Sequence, residues 1–169
     1  MTLSTSSASC DRRVDVPATR PSTCEGQPVH GTPTGSVPNT GDFIRLLKAF
    51  RATGGTVPGE VMGELLKDRR CGDVVALAKL IATQRIFTFN WRGSFWIPLF
   101  QFDPLDFSVA TGPRAVRSEL PEVFDGWAVA CWFTEPHPAL GNRLPIDVVG
   151  IHSRFVRHAA RDTRAHASA

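Results

Sequence analysis

Residues Trp127 to Asp147 read W-A-V-A-C-W-F-T-E-P-H-P-A-L-G-N-R-L-P-I-D. An apolar run stops at two prolines spaced by one residue, Leu140-Gly141 makes a turn, and Pro145 opens a new segment with Asp147 in its first turn. Proline restricts φ and is at ease at a helix start, glycine permits a left-handed backbone, and an early carboxylate offsets the helix dipole. The stretch therefore reads as two helices held at one angle by a rigid elbow. Asp125 caps the first of them, in which Trp127, Val129, Ala130, Trp132 and Phe133 leave almost no polar face. Such a helix has to be buried, so the rest of the fold must be built around it. The elbow itself has two readings by physics alone: an ordinary helix-loop-helix corner, or a surface presented rigidly to a partner, since rigidity lowers the entropic cost of binding.

Downstream, Pro145 begins a short helix through Asp147, Val148 and Val149, and a last helix runs from about Ser153 to Arg164. Phe155, Val156, Ala159 and Ala160 face inward there, while Arg154, Arg157, Arg161 and Arg164 line the remainder. A cationic face of this kind is either simply solvated or makes bidentate contacts to carboxylate or phosphate. Upstream, Gly112-Pro113 opens a helix expected over Ala115 to about Phe124, kinked at Pro121, that buries Val116, Leu120, Val123 and Phe124. Before it, Ile86 to Trp91 alternates, Arg92-Gly93 suits a tight turn and Ser94 to Phe100 returns, which is the pattern of a β-hairpin. Pro98 lacks an N–H, which puts its strand at an edge or turns its amide outward. Two strands alone are marginal, so the hairpin aromatics are expected to pack on the helices.

Three short helical patterns precede the hairpin. Phe43, Ile44, Leu46, Leu47 and Phe50 recur at helical spacing until Gly54-Gly55. Thr56 is the expected cap of a second helix, with Pro58 in its first turn and Val61, Met62, Leu65 and Leu66 as its stripe. Gly72-Asp73 starts a third, whose Val74, Val75, Leu77, Ala78, Leu80 and Ile81 are enough for burial on more than one side. Residues 1–40 are dominated by Ser, Thr, Pro and Gly and offer too little apolar surface to offset the entropy of ordering. The expected fold is mainly α (α+β): a disordered tail over 1–40, a helical region over 41–85, and one aromatic β-hairpin with a helical domain over 86–169.

Composition narrows the function classes. Nineteen Lys and Arg against sixteen Asp and Glu give a formal charge of +3, well short of a dedicated nucleic-acid binder. No apolar run is long enough to cross a bilayer and no leader pattern is visible, so a cytoplasmic protein without a membrane partner is expected. Cys10, Cys24, Cys71 and Cys131 form no C-x-x-C pair, and the histidines are not spaced around them as metal ligands. No nucleophile elbow, phosphate-binding loop, dinucleotide fingerprint or H-E-x-x-H is present, which points away from an enzyme and away from a cofactor. Phe87, Phe89 and Trp91 beside Arg92 suit base stacking in principle, but a chain with no Tyr and two Met must fill its core with such rings. The three helices over 42–85 allow a DNA-reading module, yet the third starts C-G-D-V-V, with little to reach a base edge.

Trp132-Phe133, Pro136, Pro138, Leu140-Gly141, Arg143, Pro145 and Asp147 resemble the W-L…P-N-x-x-L-G-G-x-x-P-x-D-x-L signature of the Xre/MbcA/ParS-type toxin-binding domain of bacterial antitoxins. Phe95 to Asp103 is similar to the F-P-x-F-Q-F hairpin of many members, and Ala159-Ala160-Arg161-Asp162 to a common pattern of their last helix. The resemblance covers about residues 72–164. It departs from the pattern at His137, where Asn is usual, at Asn142, where Gly is usual, and in the linker around Gly150-Ile151-His152. It implies a small, mostly helical antitoxin without catalytic role that covers the active site of a cognate RES-type, NAD-consuming toxin. Leu140, Gly141, Arg143, Pro145, Asp147, Arg161 and Arg164 would then be toxin-binding, with Asp147 orienting its helix, and Trp127, Trp132, Phe133, Pro136 and Pro138 would form the structural elbow. Members often dimerise, so a homodimer is among the states the resemblance allows. A DNA-binding (auto)regulator and an orphan protein-interaction module are the alternatives.

Overall fold

Asn39 caps the first helix. Its Oδ1 accepts from the N–H groups of Gly41 and Asp42 at 2.7 and 3.1 Å, while the Asp42 carboxylate accepts from Asn39 N at 3.0 Å, a reciprocal box that satisfies donors at the helix start. Helix α1 (Thr40–Phe50) follows. The computed structural model describes residues 37–168, all within one compact unit. The expected disorder of residues 1–36, with Cys10 and Cys24, lies outside the described residues; residues 37–40, assigned to the same tail, carry the α1 cap and first turn instead.

Beyond α1, Gly54 and Gly55 both take left-handed φ, at 99° and 81°, and reverse the chain into strand β1 (Thr56–Pro58). This corrects the expected role of Thr56 as a helix cap. The backbone of 56–58 pairs antiparallel with a later strand, and Pro58 both ends β1 and precedes α2 (Gly59–Asp68). Helix α3 (Val74–Ala82) starts on Asp73, whose side chain accepts from Ala76 N at 2.8 Å. Strands β2 (Phe89–Trp91) and β3 (Ser94–Pro98) are joined by Arg92 and Gly93, both at positive φ, as the turn that matches strand twist requires. The sheet is thus three-stranded, in the order β1-β3-β2, and the expected isolated hairpin gains a third strand.

Strand β3 is central, so Pro98 does not mark an edge. Leu99 N donates to Gly55 O at 2.9 Å, which by alternation turns the Pro98 amide away from β1. On that side β2 ends at Phe89, opposite Trp96. Gln101 fills the gap: its side chain accepts from Phe87 N at 2.8 Å and donates to Phe87 O and Pro98 O at 3.0 and 3.1 Å. Only 3% exposed, it replaces the ladder that the proline interrupts.

The sheet separates two apolar clusters. Phe89 and Trp96, paired across the ladder, belong to the larger one with Phe50, Val116, Val129, Phe133 and Val156. Ile97 points the other way, toward Met62, Leu66, Leu77, Ile86 and Phe102, as the two-residue period of a strand demands. Full burial of each such side chain contributes about 1.5–3 kcal/mol. Phe95, on the Ile97 side, covers Gly59 so closely that a Cβ there would lie 1.9 Å from its ring. Helix α3 departs from expectation: Leu77 is its only fully buried residue, and Val74 and Val75 are 64% and 74% exposed. The smaller cluster is too thin to cover more than one side of it.

Helix α4 (Thr111–Arg117) is shorter than expected and starts earlier. Pro121 disfavours helix at the residue before it, so the chain leaves the helix at Ser118 and reaches Asp125 through turns. Asp125 accepts from Ala128 N at 2.8 Å and starts α5 (Gly126–Thr134). Gly126 is obligatory, because a Cβ there would stand 1.7 Å from Thr88 O. Helix α6 (Pro145–Ala167) contains a kink at His152, with φ −130° and ψ 51°, so the two successive helices expected here lie end to end across a bend.

Candidate docking site

The elbow between α5 and α6 closes on itself. His137 N donates to Arg143 O at 3.1 Å, His137 O accepts from Leu140 N and Asn142 N at 2.9 and 3.0 Å, and Gly141 N donates to Pro138 O at 3.0 Å. Gly141 and the following Asn142 both sit in the left-handed region, at φ 65° and 58°; Asn is among the few residues besides Gly that tolerate it. The His137 Nδ1 accepts from Ala139 N at 3.2 Å and caps the single turn Pro138–Leu140. The other ring nitrogen, Nε2, faces Thr163 Oγ1 at 3.2 Å.

Thr163, on α6, is the anchor of the elbow. Its hydroxyl accepts from Trp132 Nε1 at 3.0 Å and donates to Ala159 O at 3.0 Å. The Trp132 ring packs edge-on to Phe133, and Phe133 stacks on Phe87 at 5.7 Å. Trp127, half-buried, packs against Phe89 and Trp91. Leu140 and Pro145 are buried, whereas Pro136, Pro138, Gly141, Asn142, Arg143 and Asp147 are exposed. Arg143 Nε donates to Leu140 O at 3.1 Å, which leaves the rest of its guanidinium at the surface. Asp147 stands in the first turn of α6, where its charge favours the helix dipole.

The structure does not bring Arg161 and Arg164 to the elbow. On α6 they are turned away from Thr163 toward the end of α4, as 3.6 residues per turn dictates. Arg157 Nη2 meets Glu119 at 2.7 Å and Arg161 Nε meets it at 3.1 Å. Hydrogen bonds from Arg161 and Arg157 hold the Glu119 carboxyl down at about 2, and Glu119 in return raises the pKa of Arg161. Arg164 Nη2 donates to Ser118 O and Leu120 O at 2.8 and 2.7 Å, closing carbonyls left open where α4 ends.

Gln101, Thr163 and Glu119 were not singled out from sequence as site residues. Gln101 had a signal, a lone amide in the apolar run 95–102. Thr163 had none, since its partners lie 26 and 31 residues away. The Phe87 and Phe89 rings are buried and Trp91 stacks on Phe43 at 4.7 Å, so these aromatics pack within the chain. Burial pushes the Cys131 thiol up to about 11, which keeps it protonated at neutral pH. Among the described residues, no group of three or more His, Cys, Asp or Glu is placed to hold a metal, and no helix is long and apolar enough to cross a membrane. Comparison with protein-family models, curated proteins and solved structures gives no match.

Proposed function

We propose that the chain is an antitoxin-like docking protein that binds a cognate RES-type, NAD-consuming toxin and neutralises it by covering its active site. The observation that carries this reading is the elbow: an exposed rim of Pro136, Pro138, Gly141, Asn142 and Arg143 on a backbone cross-linked by its own hydrogen bonds and pinned to α6 through Thr163. Its backbone dihedrals are constrained by the prolines and by the internal hydrogen bonds, so association costs little main-chain ordering entropy. The residues of the resemblance divide sensibly under this reading. Trp132, Phe133, Leu140 and Pro145 are interior bracing, and Arg143 and Asp147 are left to the partner. The departure at His137 is also accommodated, because its Nδ1 acts as an N-cap acceptor, a role in which Asn is equally effective.

Arg161 and Arg164 have a different place in this reading. Their donors are engaged with Glu119, Ser118 and Leu120, so they hold α6 in position, and Arg143 is the arginine assigned to contact. The start of α3, with Val74 and Val75 exposed and Asp73 as its cap, gives the DNA-reading alternative no cationic element to place in a groove. The test is a titration of the purified chain into its cognate RES-type toxin, read as NAD consumption. We expect stoichiometric inhibition, and Arg143→Ala to weaken binding tenfold or more with little change in melting temperature. Undiminished NAD consumption with the chain in large excess would discard the antitoxin reading.

A further inference from the structure

Arg114 and Arg117 stand one turn apart on α4 and line an open groove of about 880 Å³ together with Arg164 of α6, Thr83 just after α3, Thr111 and Glu122. Arg117 is half-buried and, among the described residues, makes neither an ion pair nor a hydrogen bond through its guanidinium. Burial and the neighbouring charge of Arg164 both disfavour its protonated form. A desolvated cation beside a second cation is costly in isolation, and Glu122 helps only at a distance. The contrast with the other side of α4 is sharp, since there Glu119 neutralises Arg157 and Arg161 directly.

We propose that this groove is a binding site for a phosphate dianion, either free or as the phosphomonoester of a small metabolite. Three arginines and one glutamate leave a net charge of two positive in the groove, which a dianion balances and a single carboxylate does not. The planar guanidinium offers paired N–H groups at the spacing of phosphate oxygens. Neutral donors complete the set: the Thr111 hydroxyl bonds to nothing among the described residues, whereas the Thr83 hydroxyl is committed to Lys79 O at 2.7 Å. The site is independent of the elbow and needs no protein partner, so it stands or falls separately from the antitoxin reading.

The experiment uses the full chain and two readouts, thermal melting and calorimetric titration with inorganic phosphate at constant ionic strength, with chloride and glutamate as control anions. Phosphate is expected to bind saturably and raise the melting temperature, with chloride and glutamate inert. Arg117→Gln should weaken phosphate binding tenfold or more, whereas Arg154→Gln should leave it unchanged. In anion-free buffer Arg117→Gln should melt no lower than wild type, because it removes an unpaired, desolvated charge. A clear drop there would make Arg117 a structural residue and overturn the proposal, as would equal phosphate binding by both proteins or a shift that follows ionic strength alone. Adenosine 5′-monophosphate against adenosine separates the sources: affinity well above that of phosphate identifies a phosphomonoester, and affinity equal to it identifies the free ion.

Discussion

Helix α6 holds two corners of the molecule by opposite chemistry. At the elbow, the Thr163 hydroxyl receives Trp132 Nε1 and faces His137 Nε2, in part-buried bonds that include no carboxylate or guanidinium. One residue further on, Arg164 turns to the end of α4, where it caps carbonyls while Arg157 and Arg161 clamp Glu119 at the surface. A hydrogen bond between uncharged groups, such as Trp132 Nε1 to Thr163 Oγ1, is little altered by salt. The ion pairs of Glu119 respond to salt and to pH. The corner with the constant geometry is the one that presents an exposed rim, which is what a docking surface needs.

The largest effect should come from the support of the elbow. Phe133 is fully buried and packs on Phe87, Phe100 and Trp132. Phe133→Ala should destabilise by about 3–5 kcal/mol in urea unfolding, the usual range for a truncated core aromatic. A loss under about 1 kcal/mol would mean that α5 is not the centre of the core. Thr163→Val sharpens the comparison itself, because it keeps the shape and removes the acceptor. Trp132 Nε1 is then left facing a methyl group, and a loss of about 2 kcal/mol is expected, much the same in low and high salt. A loss that vanishes in 1 M salt would place the elbow in the same class as the arginine corner.

Local rules made much of this legible. Asp73 and Asp125 are caps followed by apolar helices, Arg92-Gly93 is a tight turn, and Gly150 to Ser153 interrupts a helical pattern; each is an effect between residues a few positions apart. What escaped was tertiary. Thr56-Val57-Pro58 is a strand because β3 lies beside it and offers partners, information its own three residues do not contain. Val74 and Val75 look like core residues until the cluster beneath α3 proves small. The spacing of the α6 arginines allows a solvated face or contacts to carboxylate or phosphate, and it does not show that Glu119 and the α4 carbonyls, 38 to 46 residues away, engage three of them. The elbow was legible because proline and glycine restrict the backbone locally; its anchor at Thr163 was not.

The smallest and most diagnostic prediction concerns Glu119. Its carboxyl is held at about 2 in the folded chain against an ordinary value of 4.5, so the folded state binds this proton less readily than the unfolded state does. Stability from the clamp is therefore complete above about pH 4.5 and is lost as the pH falls toward 2. Other carboxylates titrate in the same window, so the informative quantity is the difference in unfolding free energy between wild type and Glu119→Gln. That difference should be positive at pH 7, smaller than the Thr163→Val loss, and reduced in 1 M NaCl, where the screening length is only about 3 Å. It should also close progressively between pH 4.5 and 2 as the wild-type carboxylate takes up its proton. A difference that persists unchanged at pH 2, or in high salt, would show that Glu119 acts through packing and that the two corners of α6 do not differ in kind.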